Sequence, residues 1–348
     1  MNKTHISQTM VPMRIVASGI CCAVGYHAEA ASCALRASMD HFTESDFVTN
    51  DGTPLRVAKL LNENIWGIER TLLWTRYAIS ECLEKIPREE YEQIPIILLT
   101  RNDFRVNNGL LPSKIFQLLS NRLEVKISSK SKLFFGNKAD IAQALNAAKI
   151  LLTEDNVQKV ILAGADSYLA APLISYYLSE DRLLTPGNRD GFIPGEAAAA
   201  IVLELSQKKD KSLYTYICAI GHDYELGRPD GSVPSRAQGL SRAIRHAMQA
   251  ANINANALDF RISDQNGEAF FAKEAANAVT RIAEPGDTIP QVLTTADCTG
   301  EIGAATAPLM LAWLHRWLPA PDNPGLCGLI HLANDTGERT ALIIKYEH

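Results

Sequence analysis

The sequence predicts an α/β protein made of two half-domains, and three observations support this class. Apolar, β-branched runs alternate with amphipathic helical patterns along all 348 residues. Two runs, VQKVILAGAD (157–166) and AAAAIVLEL (197–205), are continuously apolar, which is typical of strands covered by helices on both faces. A charged linker, SQKKDKS (206–212), separates two series of similar order, so we place the halves at 1–211 and 212–348.

The first half begins with a β-branched run and continues with alternating helical and strand patterns. In chain order the patterns predict a strand at 14–20, helices near 28–38 and 68–84, a strand at 94–100, a helix near 112–122, a strand at 132–135, a helix at 138–152 and the two apolar strands. Gly, Pro and Asp residues predict loops at 44–56 and 184–191.

The second half repeats this alternation after the linker. It predicts a strand at 214–221, a loop at 222–234, a helix at 235–252, a strand at 258–263, a helix at 270–283, a strand at 290–295, a helix at 303–318 and closing strands at 326–333 and 340–347.

Composition and charge exclude several classes of protein. The chain is 47% hydrophobic and 21% charged, which is ordinary for a globular protein. Its formal net charge of -5 and the lack of a basic stripe argue against nucleic acid as a partner. No apolar run approaches the roughly 20 residues that span a bilayer. The N-terminus lacks the apolar core of a signal peptide, so we expect a cytoplasmic protein.

The cysteine pattern supports neither a disulfide framework nor a zinc site. The seven cysteines are odd in number and scattered, and no two of them form a CxxC pair. We therefore expect reduced thiols, no bound metal and no cofactor.

The segment NRDGFIPGEAAAAIVLE (188–204) resembles the RDGF(V)PGEGA...VLE stretch of β-ketoacyl synthases, condensing enzymes of the thiolase superfamily. Other segments keep the order and spacing of those enzymes over nearly the whole chain: RIVASGICCAVG (14–25), VILAGADSYL (160–169), GLSRAIRHAMQAA (239–251) and TGEIGAAT (299–306). The resemblance implies the thiolase fold, in which two repeated βα halves stack as five layers, α-β-α-β-α, and the protein is normally a dimer.

A narrower likeness rests on two strings in the second half. DFRISDQNGEAFFAKEA (259–275), followed by ADCTGEIGAA (296–305), looks like thiolase-like proteins that bacteria encode beside type VI secretion components. This likeness implies an association with secretion.

The residues that perform condensation in the family are missing. Condensing synthases use a cysteine thiolate on a strand-to-helix elbow, together with two histidines. Aligning the helix by its AAKILL end places Gly136 at the nucleophile, and no cysteine lies between Cys82 and Cys218. Asn266 stands at the first histidine position, and Gly300 or Glu301 stands at the second. We therefore expect a pseudoenzyme whose vestigial positions are Gly136, Asn266 and Gly300.

Polar residues in two loops of the second half are candidates for a residual pocket. They are Asp264, Glu268, Lys273, Glu274, Asp297, Cys298 and Glu301. Carboxylates in a half-buried pocket would have raised pKa values and would bind a cation or support acid-base chemistry. Capping of the helices that follow is the alternative, and we favour it because helix N-termini prefer acidic residues. For Cys298 we favour an inert, buried thiol.

Four tryptophans lie in two pairs along the chain. Trp313 and Trp317 are four residues apart on one predicted helix, a spacing that favours core packing. Trp66 and Trp74 flank the start of the 68–84 helix, in a region where synthases place dimer contacts. They are the interface candidates.

Two functions from different classes remain open, with an enzyme built on the new loops as a third. The first is a non-enzymatic adaptor or scaffold for type VI secretion effector loading, with an effector or related adaptor as its partner. The second is a chain-length-factor-like subunit that pairs with an active ketosynthase. Both predict a homodimer or heterodimer, and the fold alone does not decide between them.

Overall fold

The computed structural model describes residues 12–61, 65–101, 112–155, 157–206 and 212–347. Twelve strands lie within these ranges: β1 (Met13–Cys22), β2 (Thr43–Val48), β3 (Pro54–Val57), β4 (Ile96–Thr100), β5 (Lys132–Phe135), β6 (Val160–Ser167), β7 (Glu196–Leu205), β8 (Tyr214–Tyr224), β9 (Phe260–Ser263), β10 (Val292–Thr294), β11 (Cys327–Ala333) and β12 (Glu338–Glu347).

The described ranges also contain nine α-helices: α1 (Ala28–Arg36), α2 (Gly67–Leu83), α3 (Pro112–Leu123), α4 (Ile141–Thr153), α5 (Ala171–Ser179), α6 (Gln238–Ala250), α7 (Ala269–Ile282), α8 (Ala296–Thr299) and α9 (Thr306–Trp317). Short 3-10 turns lie at Arg88–Gln93, Lys138–Asp140, Ala255–Ala257 and Gly303–Ala305. None of the described helices is long and apolar enough to cross a membrane.

Ten strands repeat one arrangement twice. The order across the sheet is β10-β9-β11-β12-β8-β1-β7-β6-β4-β5. In the first half β4 pairs in parallel with β5 and β6, while β7 pairs antiparallel with β6 and β1. In the second half β9 pairs in parallel with β10 and β11, while β12 pairs antiparallel with β11 and β8. Each half therefore has the same strand order and the same directions.

The buried side chains show five layers. The central core contains α4 and α9 with residues from the strands of both halves, such as Ile201 and Leu342. A second core packs α2 and α3 on the other face of the first half's strands. A third packs α6 and α7 on the outer face of the second half's strands. The predicted stack of helices, sheet, helices, sheet and helices is confirmed.

The two halves meet at β1 and β8, which pair antiparallel between Met13–Ile15 and Thr215–Ile217. The continuous apolar strand Glu196–Leu205 is buried over most of its length, as predicted for a strand with helices on both faces. The linker prediction falls on residues 206–212, of which 207–211 lie outside the described residues.

The hairpin of β2 and β3 and the helices α5 and α8 were not predicted from the sequence. The hairpin of β2 and β3 lies where a loop was predicted, at 44–56. The sequence did not indicate it because its strands are short and one of them, TESDFV, is mostly polar. Its Leu55 packs on Tyr168 and Phe192. Helix α5 also went unpredicted, although Pro172 at its first turn is a helix-start signal.

Candidate functional site

The turn between β5 and α4 is the elbow at which the family likeness expects a nucleophile. Gly136 ends the strand, and its N–H donates to the carbonyl oxygen of Thr100 at 3.0 Å. Asn137 and Asp140 then form a capping box, in which the Asp140 carboxylate accepts from the Asn137 N–H at 2.8 Å. The 3-10 turn of Lys138–Asp140 starts the central helix, and it buries the Lys138 side chain.

Lys138 carries the cation at the centre of the site. Its Nζ lies 2.8 Å from Oε2 of Glu301 and 3.5 Å from Oδ2 of Asp264, and it lies 5.4 Å from the Phe271 ring centroid. Burial by itself lowers the pKa of Lys138, but the two carboxylates outweigh it and raise the pKa well above its ordinary value. The side chain is therefore an ammonium ion at neutral pH.

Glu301 is the anion that faces this ammonium. Its Oε2 also accepts from Nδ2 of Asn266 at 2.7 Å, and its Oε1 accepts from the Gly303 N–H at 2.8 Å. Burial raises the pKa of Glu301, but the adjacent Lys138 and these donors lower it by more than burial raises it. The net shift of the pKa is therefore downward. Glu301 is 4% exposed and is a paired carboxylate rather than a free acid.

Asp264 differs from Glu301 although both carboxylates contact the same amine. Its Oδ2 accepts from the Ala333 N–H at 2.8 Å. Burial raises the pKa of Asp264, and the Lys138 charge only partly offsets that effect. The site thus holds one firmly ionised carboxylate and one that takes up a proton more readily.

A series of polar contacts runs from Asn266 through Glu268 and Arg182 to Asp335. Nδ2 of Asn266 also donates to Glu268 at 3.0 Å. Glu268 accepts from Nε and Nη2 of Arg182 at 2.6 and 2.9 Å, and Arg182 also donates to Asp335 at 2.7 Å. Paired ions and an amide therefore fill the space where the strand ends of the two halves meet.

Each half also caps the central turn of the other. Asp166, at the end of β6, accepts from the Ala304 N–H at 3.0 Å and pairs with Arg101 at 3.1 Å. Asn334, just after β11, accepts from the Ala139 N–H at 2.8 Å. These two contacts occupy matching places in the structural repeat, so the caps are exchanged between the halves.

The structure brings together three of the seven residues predicted to form a residual pocket, namely Asp264, Glu268 and Glu301. Glu274 instead pairs with Arg339 in a second buried ion pair, and it accepts from Ser235 at 2.8 Å. Lys273 is exposed on α7.

The other two residues, Asp297 and Cys298, lie in α8. Asp297 is exposed and accepts from the hydroxyl of Thr294. Cys298 lies in the central core, where burial raises the pKa of its thiol to about 11. Of the residues expected to cap helices, Glu301 accepts from the Gly303 N–H at the start of a 3-10 turn, whereas Glu268, the N-cap residue of α7, makes no side-chain cap hydrogen bond.

The three positions predicted to be vestigial have different environments. Asn266 contacts both Glu301 and Glu268. Gly136 has no side chain to offer, and Lys138, two residues later, is the group that enters the site. Gly300 has a φ of 66°, and a Cβ there would lie 2.5 Å from the Ile193 carbonyl oxygen, so the chain requires glycine at this turn.

The two interface candidates, Trp66 and Trp74, differ in their exposure to solvent. Trp66 is 64% exposed just before α2. Trp74 is 2% exposed and packs against Tyr26 and Tyr77 within the chain. Trp74 therefore offers almost no surface to a partner, whereas Trp66 does.

Sequence reasoning missed Lys138, Arg182 and Asp335. A signal for Lys138 was present, because a cation in the first turn of an alanine-rich helix is unfavourable next to the positive end of the helix dipole. Such a residue requires a nearby anion, and the structure supplies Glu301. Arg182 and Asp335 lie in loops and carried no comparable signal.

No group of three or more His, Cys, Asp or Glu side chains in the described ranges is arranged to hold a metal ion. The carboxyl groups of the cluster are instead paired with its own two cations, Lys138 with Glu301 and Asp264, and Arg182 with Glu268 and Asp335. Its electrostatics are those of a closed ion network.

Comparison with known proteins gives a uniform result at the level of fold. No family model matches the chain, and no curated protein matches it. Among solved structures, the ishigamide ketosynthase/chain length factor matches with a TM-score of 0.76 at 13% identity, covering 97% of this chain and 100% of that one. The chain has the thiolase fold.

Other ketosynthase structures agree. The ketosynthase ApeO in complex with its chain length factor ApeC from Xenorhabdus doucetiae gives a TM-score of 0.71 at 15% identity, with 96% of this chain and 98% of that chain covered. A β-ketoacyl synthase from Burkholderia phymatum STM815 gives 0.73 at 15% identity, with 97% and 100% covered. At such identities the likeness concerns the fold, and the chemistry has to be argued from the side chains.

Proposed function

We propose that this chain is a catalytically inactive, chain-length-factor-like subunit that pairs with an active β-ketoacyl synthase. One observation carries the proposal. At the elbow where a condensing enzyme needs its nucleophile, the chain places the buried ammonium of Lys138 against Glu301 at 2.8 Å.

The side chains at the elbow lack the reactivity that condensation requires. A covalent acyl intermediate needs a nucleophile with a free electron pair, and an ammonium ion has none. Asn266 donates hydrogen bonds but does not exchange a proton near neutral pH. Glu301 is held as a carboxylate by Lys138 and by two N–H donors. Acyl transfer to this turn is therefore disfavoured at each step.

Pairing with a second thiolase-fold chain is supported by the edge of the sheet. β5 is the outermost strand of the first half, and it pairs with β4 on one side. Leu133 and Phe134 are half-buried there, and Phe135 is 38% exposed. An apolar edge strand is a template for pairing with another chain. The solved structures named for a ketosynthase with its chain length factor have the same fold.

Affinity purification of the tagged chain from its native host tests the partner. We expect an intact β-ketoacyl synthase to co-purify in a one-to-one complex. The variant Phe135→Lys should weaken that complex, because it places a charge on the apolar edge. Leu226→Lys is the matched control, since Leu226 is 70% exposed on a different surface and should leave the complex unchanged.

The adaptor role predicted from the narrower sequence likeness has a different outcome in the same experiment. Co-purification of a secretion effector or related adaptor, with no synthase, would contradict the subunit proposal and favour the adaptor. A chain that retains neither a synthase nor an effector or related adaptor would contradict both, whatever its own oligomeric state.

A further inference from the structure

The site contains a buried amine and a buried carboxyl group in contact, with a second carboxylate beside the amine. Nζ of Lys138 is 3.5 Å from Oδ2 of Asp264 and 2.8 Å from Oε2 of Glu301. The three residues are 5%, 6% and 4% exposed, and the Phe271 ring faces the amine. An amine, an acid and a proton acceptor enclosed in this way have the composition needed to form an amide.

We propose that Lys138 and Asp264 form an intramolecular isopeptide bond, with Glu301 as the group that moves the protons. The bond would join the elbow turn of the first half to the loop after β9 in the second half. It requires no cofactor, metal or partner, and it does not depend on the proposed function.

The reaction balances within these three side chains. Glu301 takes one proton from the Lys138 ammonium, and the neutral amine attacks Cγ of the protonated Asp264 carboxyl. Glu301 gives its proton to the departing hydroxyl and takes the second proton from nitrogen. The N–C bond forms, the C–O bond breaks, one water leaves, and Glu301 ends as a neutral acid.

The surroundings assign a role to each group. The Ala333 N–H, 2.8 Å from Oδ2 of Asp264, polarises the carbonyl that is attacked. Asn266 and the Gly303 N–H hold Glu301 against the amine. The raised pKa of Asp264, caused by burial, favours the protonated acid that the step needs.

The ion pair between Lys138 and Glu301 makes the step slow, because the amine must first lose its proton. The bond has to form only once in the life of a molecule, so a small fraction of neutral amine suffices. Burial then protects the amide from hydrolysis, since the enclosed site excludes most water.

Mass spectrometry of the denatured full-length chain tests the bond. We expect the wild-type mass to be lower than the sequence mass by one water. The variants Lys138→Met and Glu301→Gln should show their full sequence masses, because one lacks the amine and the other lacks the proton acceptor.

Tryptic digestion locates the bond. Because a modified lysine resists trypsin, we expect residues 133–149 to remain uncleaved at Lys138 and to be joined to residues 262–273. The unmodified peptide 133–138 should be depleted to the same extent.

Three results would overturn the inference. One is a wild-type mass equal to the sequence mass after long incubation. A second is loss of ammonia instead of water, which would move the reaction to Asn266. The third is a lost water that persists in Lys138→Met, which would mark a succinimide within one peptide.

Discussion

Two turns have matching places in the repeat and supply ions of opposite sign to the site. They are residues 136–140, which lead into the central helix of the first half, and residues 295–305 of the second half. The first supplies Lys138 and the second supplies Glu301, and the two side chains meet at 2.8 Å. Each turn is also capped from the other half, by Asn334 and by Asp166. The duplicated frame thus holds a site in which two matching turns supply complementary ions from neighbouring, non-equivalent positions.

This difference shows how the fold accommodates a buried ion pair at the elbow. A cation in the 3-10 turn just before α4 opposes the helix dipole, and an anion near the start of α9 is favoured by it. The pair is stable because the second turn compensates the first. Separate loss of either charge is therefore the most severe change to the site.

Removing one member of the ion pair should have the largest effect. Relative to the wild-type chain before the isopeptide bond forms, Lys138→Met leaves Glu301 as an uncompensated buried anion, so we expect about 3 to 5 kcal/mol lower free energy of unfolding. Denaturant titration of the two single variants and of Lys138→Met/Glu301→Gln gives the coupling energy. The double variant should recover part of the loss.

The exposed pair of Arg316 and Glu29, 3.4 Å apart, is the control for this measurement. We expect Arg316→Ala to change the free energy of unfolding by at most roughly 0.5 kcal/mol. Equal losses at Lys138 and Arg316 would contradict the assignment of a buried ion pair at the elbow.

Asp166 and Asn334, the caps that each half supplies to the other, should contribute differently to the free energy of unfolding. Asp166→Ala removes the acceptor for Ala304 N–H and also leaves Arg101 buried without its carboxylate, so we expect a loss of about 3 kcal/mol. Asn334→Ala removes a neutral cap and should lower the free energy of unfolding by about 1 kcal/mol. Thermal and denaturant unfolding of both variants gives the order, and an inverted order would refute the comparison of caps.

The second half should contribute an acid-sensitive group, His331, that the first half lacks. His331 pairs with Ser263 at the end of β9, where the first half pairs Ala165 with Thr100. Burial, with Arg261 adding to it, lowers the pKa of His331 from 6.5 to about 3. A base with a lowered folded pKa stabilises the protein above pH 6.5, and that stability is lost as the pH falls toward the folded value.

Between pH 7 and 5, His331 should cost roughly 2 kcal/mol of the free energy of unfolding. The variant His331→Ala, which installs the residue of the first half, should remove this part of the pH dependence whatever its effect at neutral pH. His41 is exposed, so His41→Ala serves as the control and should leave the slope unchanged. An unaltered slope in His331→Ala would show that other groups set the acid response.

Much of the fold followed from the sequence because its signals are local. The continuous apolar strand Glu196–Leu205 and the alanine-rich central helix were predicted close to their bounds. The hairpin of Thr43–Val48 and Pro54–Val57 was not, because its strands are short, the first is mostly polar, and the hairpin is stabilised by packing of Leu55 on another loop. Tertiary contact, rather than local propensity, forms that element.

The site was predictable only in part for a similar reason. Asn266 and Glu301 were found because motif spacing pointed to them. Lys138 was not predicted, because the family alignment places Gly136, two residues earlier, at the nucleophile position. Glu274 was expected with the cluster, but its partner Arg339 lies far along the chain and draws it into a separate buried pair. Local sequence patterns do not indicate which charged residues distant along the chain will pair.

A condensation assay on the purified chain, with acyl and malonyl thioesters as substrates, tests the central claim most directly. We expect no carbon–carbon bond formation and no residue of the turn 136–140 acylated by the thioester, since Lys138 is held by Glu301 and Asp264 and offers the thioester no free amine. Thioester condensation by the chain alone, abolished by Lys138→Met in a variant shown to remain folded, would contradict it.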